Sequence, residues 1–348
     1  MNRSLILLSL LMFAFCALPA RDVSAQGFAA PQGDVVARDV REMYDRGLQF
    51  LLKTQSDDGT WTSSGERGAG TTGLGLLAFL ASGEDPNFGP YSSAIRKCVR
   101  HIIKSQPKST GYMGPSMYHH GFALLALSEA YGAMDETDLW TGKTHANQRS
   151  IGAALELGVR CAVTSQKKNP FGAWRYSPNT RDADTSVSGA VLMGLLAARN
   201  AGIEVPDESI DKAIKYFTSM TGGNGIVGYS GGLSGFGESL ARSSIACLVY
   251  AIAKRKDLKQ YKAVEKYLVN NLSEGSGWVE YARYYQAQAL FQADIKAWEK
   301  WNTGLIRKLK AIQSGDGSFQ GDLGPANSTS MALLALALNY RFLPIYER

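Results

Sequence analysis

The segment Gln55-Ser-Asp-Asp-Gly59-Thr-Trp61 near the start of the chain returns as Gln313-Ser-Gly-Asp-Gly317-Ser-Phe319 near its end. Each copy follows a stretch that mixes charged and apolar residues at helical spacing, and precedes a stretch that is apolar nearly throughout. The same Gln-to-aromatic offset recurs from Gln106 to Tyr112, and from Gln166 to Trp174 after a two-residue insertion. Two further units, around Tyr229 and Gly277-Trp278, keep the aromatic without the Gln. A helix-loop-helix segment recurring every few tens of residues is the mark of stacked helical hairpins, because one such hairpin cannot bury its apolar face alone. The loop glycine supplies the positive φ that ends the first helix, and the aromatic is expected to pack against a neighbouring hairpin. These loops read as structural staples.

The pattern predicts six hairpins. Asp39 to Thr54 is followed by Thr72 to Ser82, Ser92 to Ser105 by Tyr118 to Tyr131, and Ile151 to Ser165 by Thr185 to Asn200. Glu208 to Met220 with Glu238 to Lys254, Tyr261 to Leu272 with Tyr281 to Ile295, and Trp298 to Ile312 with Ser328 to Tyr340 complete the set. The first helices carry patterns such as Glu42, Tyr44, Leu48, Leu51 and Leu52, which suit an outer position with one face in water. The second helices, such as Gly73 to Leu80 and Met331 to Ala337, are apolar all round, which a helix tolerates only when enclosed. An open array would need polar capping repeats, yet the last inner segment is among the most apolar. The expected fold is therefore an all-α, closed (α/α)6 toroid, with six outer and six inner helices.

The Gln-x-x-Asp-Gly-x-Trp pattern at Gln55 to Trp61, its copy at Gln313 to Phe319 and the six hairpins resemble a known repeat family. It is the prenyltransferase and squalene oxidase repeat of the terpenoid cyclases (squalene-hopene and oxidosqualene cyclases) and of protein prenyltransferase β subunits. The resemblance covers about residues 40 to 340. It implies a toroid whose central cavity opens where the inner helices begin, and a cyclase or mutase acting on an isoprenoid lipid. In the cyclases a DxDD motif protonates a double bond or epoxide through its middle Asp. Here Asp182 matches the first Asp, Asp184 the middle one, and Thr185 stands where the last would be. The resemblance thus makes Asp184 the acid and Asp182 its hydrogen-bond partner. Squalene-type cyclases use two toroid-like domains while this chain has residues for one ring, so a second toroid subunit is a candidate partner. The Asp-x-Cys zinc pattern of the prenyltransferases is absent at Cys98, Cys161 and Cys247. No metal and no cofactor is expected.

The residues themselves single out Trp174-Arg175-Tyr176 and Arg181-Asp182-Ala-Asp184-Thr185-Ser186 at the entrance to the third inner helix. Alkene protonation needs a desolvated carboxylic acid that holds its proton until substrate arrives. The carbocation that follows needs aromatic faces and exclusion of water. The same carboxylates have a plainer use, because Asp182 or Asp184 could cap the helix from Thr185 to Asn200, which is worth about 1 kcal/mol. A capping carboxylate prefers to be ionised beside the positive helix end. The two uses demand opposite protonation states, and both stay open.

Other inner-helix entrances should face the same interior. Trp174, Arg175, Tyr176, Thr185, His119, His120, Arg242, Glu280, Tyr284 and Tyr285 are the candidate ligand-binding residues. His119 and His120 are adjacent, hence about 100° apart on a helix, so at most one faces inward. An Asp184 and Glu280 pair would also suit glycoside hydrolysis, which needs one acid and one base.

The ends and composition set the setting. Arg3, the apolar run Leu5 to Leu18 and Val23-Ser24-Ala25 read as a signal peptide over residues 1–25. A flexible segment follows over 26–38, and the toroid occupies 39–348. Export to a periplasm or the extracellular space is expected, with no stable membrane span. Removing the signal lowers the formal charge from +6 by one, and the remaining charge is dispersed. That argues against nucleic acid as a partner. The three remaining cysteines are odd in number and lie in apolar stretches, as core residues would. Three function classes follow: a terpenoid-cyclase-like isomerase on an isoprenoid or other small apolar ligand, a non-catalytic toroid binding a lipid, glycan or protein, and a polysaccharide hydrolase or lyase.

Overall fold

A computed structural model describes residues 38–62, 67–137, 139–140, 148–230, 237–273, 277–340 and 343. The expected signal peptide and the segment up to residue 37 lie outside the described residues. The chain runs through α1 (Arg38–Thr54), α2 (Ala69–Leu80), α3 (Ser92–Ser105), α4 (Met117–Ala130), α5 (Ile151–Lys168) and α6 (Thr185–Asn200). It continues through α7 (Asp207–Met220), α8 (Leu240–Ile252), α9 (Lys259–Asn270), α10 (Val279–Ala293), α11 (Ile295–Ile312) and α12 (Gly324–Ala337). Among the described residues the only β pairing is an isolated bridge between Thr221 and Val227.

The odd-numbered helices are amphipathic and the even-numbered ones are buried all round. In α1, Val40, Met43, Tyr44, Leu48 and Leu51 turn inward at intervals of three and four, while Arg41, Glu42, Asp45 and Arg46 face solvent. Every residue of α2 from Ala69 to Phe79 is buried. The inner helices contact one another in order, α2 to α4, α6, α8, α10 and α12, and α12 returns to α2, closing the inner ring. Small residues set how closely they approach: a Cβ at Gly121 of α4 would lie 2.5 Å from the carbonyl carbon of Ala190 in α6. Cys98, Cys161 and Cys247 are unpaired and buried, as the apolar contexts predicted. Among the described residues no helix is long and apolar enough to cross a membrane.

One expectation changes. The sequence pairs each outer helix with the inner helix that follows it, but each outer helix packs more extensively on the inner helix that precedes it. For α1 that neighbour is α12, from the other end of the chain. A helical period reveals which face is apolar, and it carries no record of which neighbour covers that face.

The loop staples explain the closure. Gln55 Nε2 donates to the Gly59 carbonyl at 3.1 Å and to the Ala94 carbonyl, in the first turn of α3, at 3.1 Å. Gln106 repeats this with Gly111 and Ala154, Gln166 with Gly172 and Ser209, and Gln313 with Gly317 and Met43. Each Gln therefore ties its own loop to the next outer helix, and the last one ties the loop between α11 and α12 to α1. The glycines are fixed by the same contact. Gly317 has φ of +90° and a Cβ there would lie 2.2 Å from the Arg46 carbonyl oxygen. The aromatic, expected to reach a neighbour, instead stays within its own unit. The Trp61 indole donates to the Leu51 carbonyl of α1 at 3.0 Å and lies on Gly75 of α2.

Candidate functional site

Three entrance loops are stitched together at the end where the inner helices begin. The Met117 N–H donates to the Tyr176 carbonyl at 2.9 Å, joining the start of α4 to the loop before α6. The Thr185 N–H donates to the Tyr229 carbonyl at 3.0 Å, joining α6 to the loop before α8, and Thr185 Oγ1 donates to the Gly228 carbonyl at 2.9 Å. Within the loop before α6, Asn169 donates to the Thr180 and Asp182 carbonyls at 3.1 and 2.9 Å. The Asp184 N–H donates to the Trp174 carbonyl at 3.1 Å. These bonds fix Asp184 at the mouth of α6.

Asp184 is fully buried and caps α6: its Oδ1 accepts from the Val187 N–H at 2.7 Å. Its Oδ2 is buried and has no hydrogen-bond partner among the described residues. Arg175 Nε lies 3.9 Å from that oxygen, beyond hydrogen-bond range. Burial pushes the carboxyl up to about 6, against the Val187 N–H and the Arg175 charge, which pull it down. One oxygen of the side chain thus caps α6, while the other makes no hydrogen bond among the described residues.

Asp182 stands differently from its expected place as hydrogen-bond partner of Asp184. Its exposed carboxylate pairs with Arg175, and its Oδ1 accepts from the Ala183 N–H at 2.7 Å. Arg175 lies over the Tyr176 and Tyr229 rings, 5.6 Å from each centroid, and the two phenols share a hydrogen bond of 2.7 Å. From Tyr176 an aromatic chain crosses to α10. The Tyr176 ring lies tilted against Tyr118 at 6.1 Å between centroids, and Tyr118 with Tyr281 at 6.3 Å, Tyr281 with Tyr285 at 4.9 Å and Tyr285 with Tyr284 at 4.7 Å meet edge-on. Phe122 closes on Tyr284 at 6.1 Å. Burial raises the Tyr118 phenol, as does the nearby Asp184 charge, and burial raises Tyr281 and Tyr285 well above the ordinary range. All three are neutral phenols near pH 7.

The sequence candidates divide into two sets. Asp184, Arg175, Tyr176, Tyr284 and Tyr285 come together with the aromatic chain. Trp174 is buried and its indole donates to the Ala162 carbonyl of α5 at 2.9 Å, as a staple. His120 is buried between layers, with Nδ1 accepting from the Met113 N–H at 3.1 Å and Nε2 donating to the Gly158 carbonyl at 3.0 Å. Burial brings His120 down to about 4, so it is neutral and structural. His119 Nδ1 accepts from the Gly70 N–H at 3.1 Å, binding α4 to α2. Arg242 donates to the Val227 and Gly237 carbonyls and orders the loop before α8. Glu280 is buried on the α12 side, where a Cβ at Gly321 would meet its carboxylate at 2.5 Å and Ser328 Oγ at 2.7 Å.

Phe122 and Tyr229 are members not singled out from the sequence as facing the interior, whereas Tyr118 and Tyr281 stand at inner-helix starts that were expected to do so. Their signal was present: Tyr118 and Phe122 stand four apart on α4, and Tyr281 and Tyr285 four apart on α10, so each pair shares a helix face. Among the described residues no group of three or more His, Cys, Asp or Glu side chains could hold a metal ion.

Among the described residues, twelve helices in an outer layer and a closed inner ring, with polar and aromatic groups gathered at the inner-helix entrances, define an (α/α)6 toroid, the fold shared by several enzymes of known structure. The α-1,6-mannanase GH76A of Salegentibacter sp. HEL1_6, inactivated by replacing two consecutive aspartates and bound to α-1,6-mannotriose, aligns with TM-score 0.64 and 8% identity. That alignment covers 86% of this chain and 99% of the mannanase. The type II terpene cyclase MstE from Scytonema aligns with TM-score 0.58 and 14% identity, over 87% of this chain and 98% of the cyclase. A variant of MstE in complex with its substrate, geranylgeranyl dihydroxybenzoate, aligns with TM-score 0.58 and 15% identity over 88% and 98%. No protein-family model matches the sequence, and no functionally curated protein does. The neighbours establish the toroid fold, which this chain shares with a type II terpene cyclase. They also include a glycan-cleaving enzyme on the same ring.

Proposed function

We propose that the protein is an exported, terpenoid-cyclase-like enzyme in which Asp184 protonates an isoprenoid double bond. The observation that carries this reading is the divided carboxyl of Asp184. One oxygen caps α6, while the other is buried without a hydrogen bond among the described residues, and burial raises the carboxyl beside an aromatic chain. In the step inferred here, the Asp184 O–H gives its proton to one alkene carbon, and the π pair becomes the new C–H bond. The neighbouring carbon becomes cationic and Asp184 is left as carboxylate. The faces of Tyr118, Tyr176, Tyr281 and Tyr285 would stabilise that cation as phenol rings stabilise other cations. A C–H bond beside the product cation then gives its electron pair to a new C=C bond, and its proton returns through solvent to the Asp184 carboxylate, so the acid is restored and the net reaction is an isomerisation.

Length fits this reading. MstE is covered over 98% of its own chain, so a type II terpene cyclase is contained in a ring of this size without a second toroid. The mannanase likeness favours a second reading, a glycan hydrolase with Asp184 and Glu280 as the carboxyl pair. The site sets them in unlike surroundings, Asp184 against the tyrosines and Glu280 against Ser328 and Gly321. A sugar site would need polar groups convergent on both. The third reading, a non-catalytic toroid that holds its ligand unchanged, is an outcome of the same test.

The test is native mass spectrometry with lipid extraction of the mature protein beside Asp184→Asn, both checked for equal helical content. Conversion of a prenyl-chain lipid by wild type, with the same lipid retained unchanged by the variant, supports the cyclase reading. Cleavage of an α-mannan by wild type, or identical lipid content in both proteins, would overturn it.

A further inference from the structure

Rotation about the Arg175 side chain offers its guanidinium two acceptors, the exposed carboxylate of Asp182 and the buried Oδ2 of Asp184. A free arginine 3.9 Å from a buried carboxylate would close to a charge-assisted hydrogen bond, because nothing else satisfies that oxygen. It does not close. Its Nη1 is held by Asp182, and its plane rests on the Tyr176 and Tyr229 rings. We propose that Asp182 is a positioning residue: by holding Arg175 at the rim it keeps the guanidinium from closing on Asp184 Oδ2, which strengthens the hold of this carboxyl on a proton.

The inference deepens the proposed function and rests on Asp184 being the acid. It also explains why two carboxylates stand two residues apart when only one caps the helix. The charged and titratable groups facing Asp184 are few. They are Arg175 and Asp182 from its own loop, Tyr118 of α4, Tyr216 of α7 and Tyr229 of the loop before α8. The tyrosines are neutral near pH 7, their phenols raised first by burial. Arg175 and Asp182 are therefore the pair whose arrangement sets the proton affinity of Asp184.

The experiment follows the Asp184 carboxyl signal by carbon-13 NMR against pH in protein labelled at aspartate carboxyls, the signal being assigned by its loss in Asp184→Asn. Asp182→Asn keeps the acceptor for the Ala183 N–H and removes the charge that holds Arg175. The titration midpoint of Asp184 is expected to fall by about one pH unit as Arg175 turns inward. Removing Asp182 also acts directly through space, so the same change is made in Arg175→Gln. There the remaining fall should be at most about a third as large, since a charge at an exposed site is screened by water. Asp182→Glu should restore the wild-type midpoint. Equal falls in both backgrounds, or no fall in wild type, would overturn the proposal. If Asp182→Asn does not fold, Asp182→Ser is measured in the same two backgrounds, with the same larger fall expected where Arg175 is present and equal falls in both again counting against the proposal. These titrations need no substrate, so their failure is distinct from absence of lipid conversion.

Discussion

The first and third inner-helix entrances are built on one frame and finished differently. At the first, Thr72 of α2 donates to Thr60 Oγ1 at 2.6 Å and to the Gly68 carbonyl at 3.1 Å, and the cap position holds Gly68 with no side-chain bond. At the third, Ser188 occupies the matching place in α6, accepting from the Trp174 N–H at 3.0 Å and donating to the Trp174 carbonyl at 3.0 Å. Its cap is Asp184. In both, the indole is tied to the preceding outer helix, by Trp61 to Leu51 and by Trp174 to Ala162. The loop is therefore secured without the cap residue, and the first entrance does well with glycine there. A buried carboxylate at the third is not required by the frame. That surplus sets Asp184 apart from the groups that make the ring.

The comparison can be broken most forcefully through the indoles. Trp61→Ala and Trp174→Ala should each cost about 3–5 kcal/mol, by loss of a buried ring and a buried hydrogen bond. Urea unfolding of both variants would show near-equal losses. A much smaller loss for Trp174→Ala would mean that the third entrance is not the same frame.

Next in size is the pH response of Asp184. Its pKa in the folded protein, about 6, exceeds the value of about 3.8 expected of the unfolded chain, so the native state binds a proton that the unfolded chain releases. Above pH 6 the buried carboxylate carries its full desolvation penalty, and the penalty is relieved as pH falls from 6 towards 4. Relative to Asp184→Asn, wild type should gain on the order of 3 kcal/mol across that window. Parallel pH profiles for the two proteins would show that Asp184 is no different from the glycine of the first entrance.

A smaller contrast lies in the last loop. Gly317→Ala should destabilise by about 2 kcal/mol or more, because positive φ and the Arg46 carbonyl oppose a Cβ. Gly315→Ala, two residues away with nothing within 4 Å of an added Cβ, should stay within about 0.5 kcal/mol. Equal melting temperatures would contradict the close approach of this loop to α1. Smallest is Ser239→Ala, which removes the hydroxyl cap on the Arg242 N–H of α8 and should cost about 1 kcal/mol by thermal unfolding.

Much of the ring was legible in the sequence because its signals are local. All-round apolarity marked α2, α4, α6, α8 and α12 as inner, and the Gln and Gly of each staple marked where outer helices stop. Asp184 was legible as cap or acid, since its position before Thr185 announces a helix start. What could not be read are choices between equivalent partners. Gln55 has an acceptor in its own loop and another in α3, and only the packed ring decides that it takes both. Asp182 and Asp184 look alike in the chain, yet backbone geometry turns one to solvent and the other inward. His120 looked like a site residue because imidazole is reactive in general. Burial and two backbone bonds make it an inert strut.

The link from Gln313 to Met43 joins residues 270 apart in sequence, and α1 finds its main inner neighbour in α12. During synthesis at about 5–20 residues per second, the first helix therefore waits roughly fifteen to fifty seconds for the surface that will cover it. Closure of the ring must wait until α12 is free to pack. A nascent chain halted anywhere before α12 leaves greasy helix faces open to whatever chaperone or aggregate meets them first.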